Sequence, residues 1–155
     1  MVPRGADPAL AWRPRLAGAG AAAGVGSPAA DRGRRVTGRF AWLAHAEGRP
    51  VGLVDVERYA DGTAGLALVV DPARRRQGLG KRIIQAVVAH PELGEIELVR
   101  AGIEPGNQAS VRCFTAVGFS VETDEPDEEG VVYFRRRIYK ARAVPSKRPL
   151  ARRCR

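Results

Sequence analysis

The residues best suited to chemistry are Arg75-Arg76-Gln77-Gly78-Leu79-Gly80, directly after Val69-Val70-Asp71-Pro72 and directly before Lys81 and Arg82. An apolar run stopped by proline and followed by a glycine turn predicts a strand, a loop and the start of a helix. A helix start presents unpaired backbone N–H groups and a partial positive charge, so it attracts anions. Glycines at 78 and 80 let the backbone approach a phosphate closely, and Arg75, Arg76, Lys81 and Arg82 add cationic charge. Two other phosphate motifs fit poorly. Gly78-Leu79-Gly80-Lys81 has neither the spacing nor the hydroxyl residue of G-x-x-x-x-G-K-[ST], and Ile83 occupies the place of the third glycine of G-x-G-x-x-G. The plain alternative is a structural turn with solvated arginines.

The elements that must hold this loop are legible around it. Phe40 to Leu43 and Val51 to Val56 read as two strands about a turn near Glu47-Gly48-Arg49-Pro50, and Asp61-Gly62 marks a second turn. Ala64 to Val70 reads as a third strand, and its near-continuous apolar run suggests cover on both faces. After the loop, Ile83, Ile84, Val87 and Val88 form one helical stripe, which Pro91 and Gly94 end. Ile96, Leu98 and Val99 make another strand. Asn107 opens a second helix carrying Val111, Phe114 and Val117, with Gly118 at its stop. Phe119 to Val121 and Val131 to Tyr139 close the pattern as a strand pair around an acidic loop.

Of the net charge of +9, residues 1–36 carry +4, residues 135–155 carry +10 and residues 37–134 carry −5. The basic character lies at the ends, and the expected folded body is mildly acidic. Residues 1–36, rich in Ala, Gly, Pro and Arg, show neither helical nor strand periodicity and are expected to stay disordered. The expected organisation is a disordered segment over 1–36, one α/β domain over 37–140 and a basic disordered tail over 141–155. Apart from Tyr139, residues 135–155 interleave no aromatics with their cations, which makes them a weak nucleic-acid signal. No apolar run nears the roughly 20 residues of a membrane span. Two cysteines, Cys113 and Cys154, make no disulfide framework, and the expected compartment is cytoplasmic.

With its context, the loop resembles the GNAT superfamily of acetyl-CoA-dependent N-acyltransferases, whose central loop reads [Q/R]-x-x-G-x-[G/A] after a strand ending V-x-P. Arg75, Gly78 and Gly80 match it behind Val70-Asp71-Pro72, and Asn107, Ala109-Ser110, Phe114 and Gly118-Phe119 match a second family element. The resemblance covers roughly residues 38–140. It implies a mixed, mostly antiparallel sheet with a splayed strand pair and flanking helices. It also implies acetyl-CoA as cosubstrate and no metal. Backbone of Leu68, Val69 and Val70 would meet the pantetheine arm. Arg75, Arg76, Gln77, Gly78, Leu79, Gly80 and Lys81 would hold the pyrophosphate, and Asn107 would bond the pantetheine region. A primary amine would then attack the thioester directly, its oxyanion held by strand N–H groups. The acceptor is a small molecule or a protein N-terminus, and a homodimer is compatible with the pattern.

Three features depart from the family. Phe114 stands where many members have a tyrosine that protonates the leaving thiolate, and Gly102 where some have a glutamate base. Glu104 is then the first candidate base, with Tyr133 and His45 behind it, while Cys113 reads as a small buried hydrophobe. The strand and two helices with which such domains begin are expected to be missing. Glu122, Asp124, Glu125, Asp127, Glu128 and Glu129 crowd one loop, which would favour a cationic amine if it borders the cleft and is otherwise a solvated hairpin tip.

Overall fold

A computed structural model of the chain describes residues 10–14 and 33–138. In chain order they form β1 (Leu10–Pro14), β2 (Val36–Ala46), β3 (Arg49–Tyr59), β4 (Thr63–Val70), α1 (Leu79–Val88), β5 (Leu98–Ile103), α2 (Gln108–Ala116), β6 (Ser120–Val121) and β7 (Val132–Arg137). The strands make one sheet ordered β1-β2-β3-β4-β5-β7-β6, antiparallel throughout except at β4–β5. This is the mixed, mostly antiparallel α/β fold expected from the resemblance.

The β2–β3 hairpin is tighter than its sequence suggests. Only Glu47 and Gly48 turn, at φ of 53° and 75°, which matches the twist of two right-twisted strands. Arg49 and Pro50 already belong to β3. Pro50 stands at the register shift between Ala44 and His45, where a residue without an N–H costs the ladder little.

Both helices lie on the sheet face that carries Trp42, Val54, Val56, Leu66, Val99, Ala101 and Phe134. With Ile83, Ile84, Val87, Phe114 and Phe119 these side chains form a single buried core. All four residues of the predicted α1 stripe are in it. Burying each large aliphatic contributes about 1.5–3 kcal/mol. A Cβ at Gly52 would come within 2.9 Å of Ile83 Cδ1, so the missing side chain on β3 is what lets α1 sit this close to the sheet.

Two expectations are corrected. Leu10–Pro14 is a strand, paired antiparallel with β2 from Leu10↔Ala46 to Pro14↔Trp42, so structure begins well inside the segment expected to have none. The rest of that segment up to residue 32, like Tyr139 and the basic tail, lies outside the described residues. β4 is covered on both faces only over Ala64–Leu66, after which its residues open until Val69 is 48% exposed.

Replacing Ile83 with Ala removes the side chain seated over Gly52. It should lower unfolding free energy by about 2–5 kcal/mol, read from denaturant midpoints at unchanged m-value.

Candidate coenzyme-binding site

The site begins where pairing stops. β4 and β5 are in register only through Thr63↔Leu98, Ala64↔Val99 and Gly65↔Arg100, whereas β4 stays paired with β3 out to Val70↔Gly52. Beyond Gly65 the two parallel strands diverge. Asp71 N–H donates to Val51 C=O across the β3 side at 3.0 Å. The alternation of an antiparallel ladder therefore turns the odd residues of β4 toward β3 and Leu66, Leu68 and Val70 toward the gap. The gap is thus edged by backbone groups, with the partly buried side chains of Leu68 and Val70 packed on the core beside it.

The loop leaving β4 is held from within. Asp71 caps a single 3-10 turn at Pro72–Arg74, its carboxylate accepting from Ala73 N–H at 2.9 Å. Arg75 Nε reaches back to Val70 C=O at 3.4 Å, and Arg74 Nε donates to Gln77 Oε1 at 3.2 Å. Arg76 (φ 65°) and Gly78 (φ 73°) both lie in the left-handed region. For an arginine that conformation is strained, and such strain collects at functional turns. Gly78 is the N-cap of α1 and supplies no side-chain hydrogen bond, nor is any acid present in the first turn. The first N–H groups of α1 therefore face out between exposed Arg75, Arg76 and Lys81, an arrangement suited to a polyphosphate.

The two glycines serve different ends. At Gly78 an added Cβ would meet nothing within 4 Å, so its requirement is the backbone angle. At Gly80 an added Cβ would lie 3.0 Å from Cys113 Sγ, 3.7 Å from Val70 Cγ2 and 4.0 Å from Leu68 Cδ2. At Gly80 the missing side chain leaves room for α2.

Asn107 is the N-cap of α2, Oδ1 accepting from Ser110 N–H at 3.1 Å. Its amide nitrogen keeps its donors for another group. Glu104 is exposed in the turn before α2, its carbonyl accepting from Asn107 N–H at 2.9 Å. It lies four residues beyond Arg100, roughly 13 Å along β5 from the closed end of the gap. That is the loop end of the cleft.

Other candidates are engaged elsewhere. Tyr133 is buried and its hydroxyl donates to Asp127 Oδ2 at 2.8 Å. His45 Nδ1 pairs with Leu43 C=O at 3.2 Å, two strands away from the gap. Phe114 is 5% exposed and meets Phe119 edge to face at 5.0 Å. Burial pushes the Cys113 thiol up, an effect Lys81 partly offsets, which keeps it protonated and a poor nucleophile. Among the described residues, no three His, Cys, Asp or Glu side chains gather in a group that could hold a metal ion. Nor is any described helix long and apolar enough to cross a membrane.

The acidic loop is partly structural. Asp127 accepts from Glu129 N–H and Val131 N–H, each at 2.9 Å, besides the Tyr133 hydroxyl. Glu122 takes a two-point bond from Arg100 at 2.8 and 2.7 Å, with Arg135 at 3.8 Å. Arg100 and Arg135 face each other across β5 and β7, a like-charge pair that Glu122 neutralises. No local pattern marks this clamp, because its members lie on three separate strands and loops.

A mixed sheet whose one parallel pair splays beside a cationic, uncapped helix start defines the N-acyltransferase class of α/β fold. The chain belongs to the acetyltransferase (GNAT) family, whose sequence pattern matches residues 20–119. It is 37% identical over 81 residues to the uncharacterized N-acetyltransferase YfmK of Bacillus subtilis (strain 168), a match covering 52% of this chain and 54% of that protein. It is 38% identical over 63 residues to the mycothiol acetyltransferase of Clavibacter michiganensis subsp. michiganensis (strain NCPPB 382), covering 41% of this chain and 20% of that one. The chain thus spans about half of the first relative and a fifth of the second. In fold it is similar to aminoglycoside acetyltransferase AAC(6')-Ib in complex with ribostamycin and coenzyme A (TM-score 0.56, 19% identity, 64% of each chain). It is also similar to the ribosomal-protein-S18-alanine N-acetyltransferase of Escherichia coli (TM-score 0.53, 20% identity, 73% of this chain and 76% of that one).

Hydrogen bonding from Arg100 holds the Glu122 carboxyl below the ordinary glutamate range, against burial and aided by the charges of Arg100, Arg135 and Arg34. A depressed folded-state pKa stabilises fully above the unfolded value and fades as pH falls through the folded one. The stability gap between the native chain and Glu122→Gln should therefore be largest at neutral pH and shrink on acidification. Urea midpoints across that range measure it.

Proposed function

We propose that this chain is an N-acetyltransferase that moves an acetyl group from acetyl-CoA to a primary amine by direct attack in a ternary complex. The observation that carries this reading is the β4–β5 splay, opening beside an α1 N-terminus that has cations around it and no side-chain cap. The pyrophosphate would lie on Arg75, Arg76, Gln77, Gly78, Leu79, Gly80 and Lys81. The pantetheine arm would run along the backbone of Leu68, Val69 and Val70, with Asn107 donating from its amide.

In the transfer, the amine nitrogen bonds to the acetyl carbon and the C–S bond breaks. The carbonyl oxygen carries the passing negative charge toward the N–H groups that Leu66 and Leu68 turn into the gap. The amine's proton leaves to water, and the thiolate takes one from water. With Phe114 buried, Tyr133 on Asp127 and Glu104 at the far end of β5, catalysis rests on positioning and on the backbone oxyanion contact. The unclamped acids Asp124, Glu125 and Glu128 are exposed and would favour a cationic acceptor, a small molecule or a protein N-terminus.

Calorimetry with coenzyme A tests the binding half. Gly78→Glu puts a strained backbone and a negative charge at the helix start, and should weaken binding by about tenfold or more. Equal affinity in native and variant chains would remove the assignment. Acetyl transfer to a panel of primary amines tests the rest. Tight coenzyme binding with no transfer to any amine would favour the second reading, a coenzyme-binding relative without activity, which the buried Phe114 supports.

A further inference from the structure

We infer that Cys113 is a positioning residue for the phosphate loop, and that position 80 must be glycine because of Cys113 and not because of the ligand. The inference rests on the coenzyme reading above and deepens it. Gly80 lies in the first turn of α1, in a corner walled by α2 on one side and β4 on the other. The separation of 3.0 Å between a Cβ at position 80 and Cys113 Sγ is one at which the neighbour must give by a few tenths of an ångström. Sγ is the first atom beyond its own Cβ, so it gives way by a χ1 turn of roughly 10–20° or by a small shift of α2. α2 begins at Asn107, whose side chain caps that helix. A side chain at 80 that is accommodated by shifting α2 displaces the loop and the Asn107 donor relative to each other, two of the groups assigned to the same ligand. The contrast with Gly78 is the second support: there a Cβ meets nothing, and only the φ of 73° demands glycine. One motif thus holds two glycines fixed by unrelated causes, and only one of them answers to residue 113.

A double-mutant cycle tests this, with coenzyme A as the probe in calorimetry and unfolding temperature as a second readout. With Cys113 present, Gly80→Ala should weaken coenzyme A binding by about tenfold, within the coupling expected of residues in contact. In a Cys113→Ala background the same Gly80→Ala step should cost less than about threefold. Thermal stability should change sign across the cycle. Alanine is the better helix former, so Gly80→Ala should raise the unfolding temperature once Sγ is gone and lower it while Sγ remains. Gly78→Ala should weaken binding equally in both backgrounds.

Equal losses from Gly80→Ala with and without Cys113 would overturn the inference, because the new methyl would then be meeting the ligand itself. Unfolding temperatures that follow the cycle while affinity stays constant would reduce Cys113 to packing alone, which also overturns it. A native chain that fails to bind coenzyme A overturns the coenzyme reading and the positioning role together. It is recognised by the native chain alone, before any variant is compared.

Discussion

Every backbone N–H and C=O that leaves a sheet ladder must find another partner, and the divergence of β4 from β5 imposes that demand on Leu66, Leu68 and Val70. Three residue pairs join the two strands, and then the pairing ends. An unmet peptide group away from water costs about as much as a lost hydrogen bond. A cleft edged by such groups persists only because the rest of the sheet fixes β4 and β5 separately. β3 holds β4 along nearly its whole length, and β7 holds β5 from Leu98 to Ile103. The same geometry that leaves the edge open also suits it to an extended, amide-bearing arm, which can complete the ladder from one side.

Keeping the cleft open depends on what packs beneath it. α1 and α2 share one face of the sheet, and glycine brings α1 close to β3 at one contact and to α2 at another. Gly52 lets Ile83 settle on β3, and Gly80 lets the first turn settle against Cys113. Each replaces a side chain by backbone proximity, so the core stays dense while the helix start remains beside the gap. On the far side of β5, Glu122 joins Arg100 to Arg135. Without that carboxylate, two guanidinium groups on facing positions of β5 and β7 would repel one another beside the last paired residues of the splay.

What the sequence makes legible follows from how local each cause is. The α1 stripe, the Asn107 cap and the αL stop at Gly118 (φ 86°) depend on neighbours a few residues away, and all are readable from spacing. Leu10–Pro14 is not. It is a five-residue edge strand ending in proline, bonded to β2 on one side only, so it needs no buried alternation to exist. The loss of cover at Val69 is equally invisible, because its side chain alternates away from the sheet face on which both helices pack. The Gly80–Cys113 contact and the Arg100–Glu122–Arg135 clamp join positions whose adjacency only the tertiary fold creates. Glycine at 80 is visible in the motif, but its cause is on another helix.

The distribution of chemistry across the cleft follows from these supports. A side chain that donates or removes a proton at the reacting centre typically contributes about 10²–10⁴-fold, whereas holding two reactants in line can be worth about 7–11 kcal/mol. On the proposed reading, a site with this backbone edge and helix start would keep the greater part of that rate advantage with Phe114 in place of a donor. The phenylalanine in turn completes the core by packing on Phe119, where a hydroxyl aimed inward would need a partner. Position 114 is thus bound to the stability of α2, and α2 in turn bounds the loop through Cys113. The proposed coenzyme half of the site is consequently braced by the core through Leu79 and through the Gly80–Cys113 contact.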